Sequence, residues 1–342
     1  MLNIISRSLV LKEISGPQKV VANLIAGLEK LGYPYMLNKR LDSCERLYIH
    51  DDTVALRKVA ELDPKIKVVV GPNLYVVPRE IPQELDISKA IYLVPSEWTK
   101  RFWLFFGFDR CPMESWATGI NTEEFVPSAD KKEFILIYWK ERFMWELAAV
   151  KKELEAKHLP YTVLHYDEGY QEEKFKRLLK NTRYVIWLGR QESQGIALQE
   201  VLSANVPVLV CDASSVGHST VIGGWNREER DYKNTTSAEY FDTRCGIKIN
   251  DFSELGSAID KMETNLTVFE PRQYILEHLS LEGQARKFLG FYEKHFRLSY
   301  EAGFKEKLLR EGKWLNAEWY YLFYLKLKQL GVQAVKAAWR SR

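Results

Sequence analysis

Short apolar runs of strand length alternate with amphipathic stretches along this chain, and they do so twice. The runs LNIIS (2–6), RLYIH (46–50), KVVV (67–70) and IYLV (91–94) are separated by segments with apolar residues at helical spacing, at 17–30, 53–62 and 97–106. SWAT (115–118) reads as one more short strand. After the polar, proline-bearing stretch VPSADKK (126–132) the pattern restarts. FILIYW (134–139), YTVLHY (161–166), YVIWLG (184–189) and PVLVC (207–211) read as strands, with helices at 141–157, 171–180 and 195–204. Alternation of this kind makes parallel sheets with helices on both faces. No sequence repeat accompanies the doubled pattern, and from Phe252 onward the chain reads as helical.

A length of 342 residues fits two cores better than one. The expected division is residues 1–130, residues 131–300, and a helical C-terminal extension at 301–342. A net charge of +3 is too small to point to nucleic acid, but it is unevenly spread. Residues 301–342 hold nine Lys/Arg against four Glu, which leaves the first 300 residues slightly acidic. The four cysteines (Cys44, Cys111, Cys211, Cys245) have neither zinc-ligand nor thioredoxin spacing, so reduced thiols and a cytoplasmic setting are expected. The first ten residues lack the apolar stretch of a signal peptide.

The stretch RQESQGIALQE (190–200) carries the chemistry. It joins a buried strand to a helix, so it lies at the carboxyl end of a parallel strand, the ligand side of an open α/β sheet. The amides of Gly195, Ile196 and Ala197 then form a helix N-terminus, which favours an anion such as a phosphate. Glu192 before it and Glu200 within it can each accept hydrogen bonds from hydroxyls. Two such acceptors flanking a phosphate seat suit a nucleotide sugar. A solvated, purely structural pair of glutamates would show the same spacing.

The surrounding blocks resemble the retaining glycosyltransferases of family 4. ESQGIALQEVLSANVPVLV (192–210) is similar to that family's block with two Glu eight positions apart. LVPSEWTKRFWLFFGFD (93–109) with WATGINTEEFVP (116–127) is similar to the end of its first domain. SGPQKVVANLIAGLEKLGY (15–33), RLYIHDD (46–52) and SAEYFDTRCGIKINDFSELGSAID (237–260) resemble its first loop and helix, its strand ending in His-Asp and its late strand–helix segment. The resemblance implies a GT-B fold, two Rossmann-like domains facing a central cleft. It implies sugar transfer from a nucleotide-diphosphate donor to a glycan, lipid-linked or protein-linked acceptor, with retention of configuration and without metal or other cofactor.

Carried onto this chain, the resemblance gives Glu192 the donor sugar's hydroxyls, Gly195 and Ile196 the diphosphate, and Glu200 the ribose. Gly16 would let the first loop approach the phosphates, and His50 would lie near the reacting sugar and the acceptor. Lys140 and Arg142 match the basic pair that neutralises the leaving diphosphate. Their segment, IYWKERF, lacks the family's usual Gly-Arg start and Lys-Gly step, and the first loop has SGP where two glycines are usual.

Asn73, after a strand, can face the acceptor or serve as a turn residue. His218 lies in a polar stretch that reads as a loop near the donor or as plain connection. The basic, aromatic 301–342 segment has two readings as well: packing back on the first domain, or resting on an anionic membrane beside a lipid-linked acceptor. An epimerase or phosphorylase of the same fold and a non-catalytic nucleotide-binding scaffold remain the alternatives, since fold does not imply function.

Overall fold

The computed structural model describes residues 1–10, 15–166, 171–221 and 223–296. The expectations for 301–342 therefore lie outside the described residues. Six strands form the first sheet: β1 (Leu2–Ile5), β2 (Tyr35–Leu37), β3 (Arg46–Ile49), β4 (Lys67–Val70), β5 (Ala90–Val94) and β6 (Met113–Ser115). Their order is β2-β1-β3-β4-β5-β6, every pairing parallel. Five strands form the second: β7 (Phe134–Trp139), β8 (Tyr161–His165), β9 (Thr182–Leu188), β10 (Val208–Cys211) and β11 (Gly246–Ile249), in the order β11-β10-β9-β7-β8, again all parallel. Strands buried on both faces explain the continuous Val/Ile/Leu runs of the sequence.

The helices are α1 (Gly16–Lys30), α2 (Thr53–Leu56), α3 (Glu97–Phe105), α4 (Met144–Ala156), α5 (Glu172–Asn181), α6 (Ile196–Ser203), α7 (Arg227–Asp231), α8 (Leu255–Asn265), α9 (Pro271–His278) and α10 (Leu281–Phe296). Side chains set their starts: Ser15 caps α1, Asp52 caps α2, and Ser96 with Thr99 forms a capping box on α3. Helix α4 starts three residues later than its apolar spacing predicts, because residues 141–143 turn at the strand end and Glu141 takes a left-handed conformation (φ 51°). The sequence-read helix at 53–62 is two pieces, α2 and a 3-10 turn at Val59–Glu61. The strand expected at 115–118 ends at Ser115 instead. Trp116 leaves the sheet to bury its ring against Phe288, and its indole N–H donates to the Gln284 carbonyl at 3.0 Å.

An apolar core packs on the first sheet and one on each face of the second, and two features join the domains. Helix α10 packs on α1, where Gly27 leaves no room for a Cβ: one built there would meet the Leu281 carbonyl oxygen at 2.4 Å. Residues 213–221 and 223–240, between β10 and β11, reach back to the first core. Val216 is buried in it, and Trp225 and Tyr232 meet Phe102 edge-on at 5.7 and 5.0 Å. Arg79 pairs with buried Glu229 at 2.7 Å in the same arm. Among the described residues no helix is long and apolar enough to cross a membrane.

Candidate functional site: a cavity at the carboxyl ends of both sheets

Strand direction gathers the site. The loops after β4 and β5, the start of α1, and the loops after β7, β8 and β9 all open on one cavity of about 190 Å3. The first domain lines it with Ser15, Gly16, Lys19, Val20, Pro72, Asn73 and Pro95. The second contributes Tyr138, Lys140, Tyr166, Trp187, residues 192–197 and Glu200.

Residues 190–195 turn sharply into α6. Gly195 is the N-cap with φ 81° and ψ 48°, a left-handed conformation that costs a residue with a Cβ about 1–2 kcal/mol. The loop is held from three directions. Glu192 donates its N–H to the Thr236 carbonyl at 3.0 Å and accepts at its own carbonyl from the Trp98 indole at 2.9 Å. Gln194, buried, accepts from the Thr118 N–H and donates to the Thr118 carbonyl, both at 3.0 Å, and donates to Gln199 at 2.9 Å. Thr118 in turn donates its hydroxyl to the Val20 carbonyl at 3.0 Å. The amides at the start of α6 are thus fixed relative to both domains.

Each of the two glutamates is met by a lysine. The Lys140 ammonium lies 2.6 Å from a Glu192 oxygen and 4.4 Å from the centre of the Tyr166 ring. The Lys19 ammonium, on α1, bridges Glu200 and Glu172, the latter at 2.5 Å. Glu200 is 4% exposed, and its second carboxylate oxygen is buried with no protein partner. Burial pushes the Glu200 carboxyl up to about 7; Lys19 opposes this, while neighbouring Glu172 and Glu124 add to it. Burial alone would lower the Lys19 ammonium, but the carboxylates of Glu200 and Glu172 outweigh that and raise it. Glu200 and Lys19 also line a second cavity of about 250 Å3 beside Phe125 and Glu172.

Eight of the ten sequence-derived candidates meet at the first cavity: Gly16, Asn73, Lys140, Glu192, Gly195, Ile196, Ala197 and Glu200. His50 and Arg142 are not among its lining residues. His50 is fully buried; its Nε2 bonds the Pro17 carbonyl at 2.9 Å and its Nδ1 the Tyr48 hydroxyl at 3.0 Å. Burial holds its pKa below the ordinary histidine value. Arg142 is fully buried too. It donates to the carbonyls of Gly189 and Cys211, both at 2.8 Å, clamping the ends of β9 and β10, and to Glu146 one helical turn on. His218 completes that cluster at 2.9 Å from Glu146. Burial alone would raise the Glu146 carboxyl, but the bonds from His218 and Arg142 outweigh it and bring it to about 2.

Lys19 was not a sequence candidate. Its partners lie 153 and 181 positions away, so only its place in the fourth position of the helix after SGP could have drawn attention to it. Among the described residues no group of three or more His, Cys, Asp or Glu is arranged to hold a metal ion.

No protein-family model and no curated protein matches the chain. Among solved structures it is similar to sucrose-phosphate synthase from Thermosynechococcus elongatus, with a TM-score of 0.54 and 11% identity over 87% of this chain and 99% of that one. TarM aligns at a TM-score of 0.47 and 13% identity over 79% of this chain and 57% of that one. WaaG, a glycosyltransferase involved in lipopolysaccharide biosynthesis, aligns at 0.45 and 9% over 85% and 99%. Two parallel-sheet α/β domains with a cavity at their facing strand ends, matched along nearly the whole of the first of these structures, make the fold GT-B.

Proposed function

We propose that this protein is a retaining glycosyltransferase of family 4. It moves a sugar from a nucleotide-diphosphate donor to a glycan, lipid-linked or protein-linked acceptor without a metal ion. One observation carries the reading: Glu192, the α6 N-terminus, Glu200, Lys140 and Gly16 line a single cavity between the two sheets. The N–H groups of 195–197 take the diphosphate, Glu200 the ribose hydroxyls and Glu192 the sugar hydroxyls.

The chemistry follows from charge. Breaking the sugar–phosphate bond leaves positive charge on the sugar and negative charge on the diphosphate. Donors fixed where that negative charge grows are worth more in a closed site than in water. The α6 N-terminus supplies a fixed partial positive charge, and Lys140 a full one. Glu192, beside the sugar, faces the opposite charge. His50 and Arg142 act through what they hold: His50 steadies the Pro17 carbonyl and so the turn presenting Gly16, and Arg142 fixes the strand ends from which the 190–195 loop departs.

The test is a thermal-shift series with UDP, GDP and their sugars, followed by product analysis with the donor that binds. A ligand present at 100 times its Kd adds about 2.7 kcal/mol of apparent stability. The reading requires one nucleoside diphosphate to raise the melting temperature, and Glu192→Gln to lower turnover more than nucleotide affinity. Absence of any nucleotide-dependent shift would overturn it.

A further inference from the structure

The cavity has a cation that the sequence did not assign. A diphosphate brings two or more negative charges, and the α6 N-terminus offers about half a positive charge. Lys140 adds one. Arg142, the residue matched to the second cation, is spent on Glu146 and two strand-end carbonyls and has no exposed surface. The other lining residue with a full positive charge is Lys19, which comes from the opposite domain. Its position mirrors that of Lys140: each ammonium is paired with one of the two glutamates that flank the helix N-terminus.

We infer that Lys19 is the second diphosphate-binding cation of this site, handed from Glu200 to the phosphates when the ligand's hydroxyls take over the carboxylate. The assignment rests on the proposed nucleotide-sugar reading. Several observations support the exchange. Glu200 already has one buried oxygen without a protein partner, so a hydroxyl donor has somewhere to go before Lys19 leaves. Glu172 keeps a cation after the exchange, because Lys176 also pairs with it at 2.9 Å. Lys19 lines the same cavity as Gly195, Ile196 and Ala197 and carries its charge on a flexible four-carbon stem. The cavity of about 190 Å3 is smaller than the roughly 300–1,000 Å3 of ligand sites, and both ion pairs are part of its wall. Since Lys19 belongs to α1 and the phosphate seat to α6, the exchange would give the diphosphate a contact from each domain.

The experiment is calorimetric titration of the full chain with UDP and UMP, and with GDP and GMP. It compares wild type, Lys19→Met and Lys19→Arg, with thermal melts to establish that each variant is folded. The wild type is expected to prefer the diphosphate. Lys19→Met should lose at least tenfold in diphosphate affinity and less than threefold in monophosphate affinity, and Lys19→Arg should restore most of the loss. If Lys19→Met binds the diphosphate as tightly as wild type or more tightly, or loses both ligands equally, Lys19 is only a contact between domains and the inference is wrong. A wild type that binds neither UDP nor GDP overturns the nucleotide reading itself, and this assignment with it.

Discussion

The indole N–H of Trp98 donates to the backbone carbonyl of Glu192 at 2.9 Å, joining helix α3 of the first domain to the 190–195 loop of the second. Trp98→Phe keeps an aromatic ring beside Phe102 but removes this bond and, because Trp98 is buried in the first core, leaves a small cavity. A net loss of about 2–3 kcal/mol in unfolding free energy is expected. The functional effect should exceed what this loss accounts for, because the loop that carries Glu192 loses a tether: the KM for the donor rises several-fold in a variant that remains folded. An unchanged donor KM would show that the other tethers, through Thr236 and Thr118, suffice.

Gly195→Ala isolates the backbone at the start of α6. A Cβ at this position meets nothing closer than 3.6 Å, so space is available, but φ is +81°. The cost is therefore conformational, about 1–2 kcal/mol. Relaxation of that strain tilts the first amides of α6, and nucleotide affinity should drop by more than the loss of stability accounts for. Denaturation and titration of the same variant measure both quantities.

The raised Glu200 carboxyl makes the protein pH-sensitive in a defined direction. With a folded pKa of about 7 against an unfolded carboxylate near 4.3, the folded chain holds a proton that the unfolded chain releases. Stability from this group is therefore lost as pH rises from about 4.5 to 7, and is flat above. The difference between wild type and Glu200→Gln in urea unfolding should fall across that window and nowhere else. Nucleotide affinity should run the other way: the ionised carboxylate is the better acceptor for hydroxyls, so wild-type affinity rises through pH 7 more steeply than that of Glu200→Gln, which follows only the ionisation of the terminal phosphate.

Glu146 and Arg142 form a fully buried pair, and removing one partner strands the other charge. Glu146→Gln should cost about 3–5 kcal/mol, the range for breaking a buried ion pair. The double change Arg142→Met with Glu146→Leu removes both charges but should recover only part of this, because the Gly189 and Cys211 carbonyls and His218 then lose their partner. Wild-type stability from Glu146 should persist above the ordinary carboxylate range and fade as pH drops from about 4.5 toward 2. Chemical denaturation of the three proteins across pH separates these effects.

How much the sequence disclosed depends on whether a residue's partners are local. Strands buried on both faces announce themselves as apolar runs, so Lys67–Val70 and Phe134–Trp139 were legible. The three-residue strand Tyr35–Leu37 has no buried residue and left no such trace. The 190–200 stretch was legible because a strand end, a glycine and a helix start are adjacent in the chain. The role of Arg142 was only half legible: Glu146 at i+4 advertises an ion pair, but that Gly189 and Cys211 also claim its guanidinium depends on strand order. Lys19 was illegible because its three-dimensional neighbours come from α5 and α6. The arm that carries Trp225 and Tyr232 was illegible because both look like loop aromatics until α3 is beside them.

The central claim is that a diphosphate docks on the N–H groups of residues 195–197. A crystal structure with bound UDP or GDP, whichever shifts the melting temperature more, measures this directly. The account predicts phosphate oxygens within about 3 Å of those amides, with ribose hydroxyls on Glu200. Phosphates seated away from Gly195, or a nucleotide bound outside the cavity between the sheets, would contradict it.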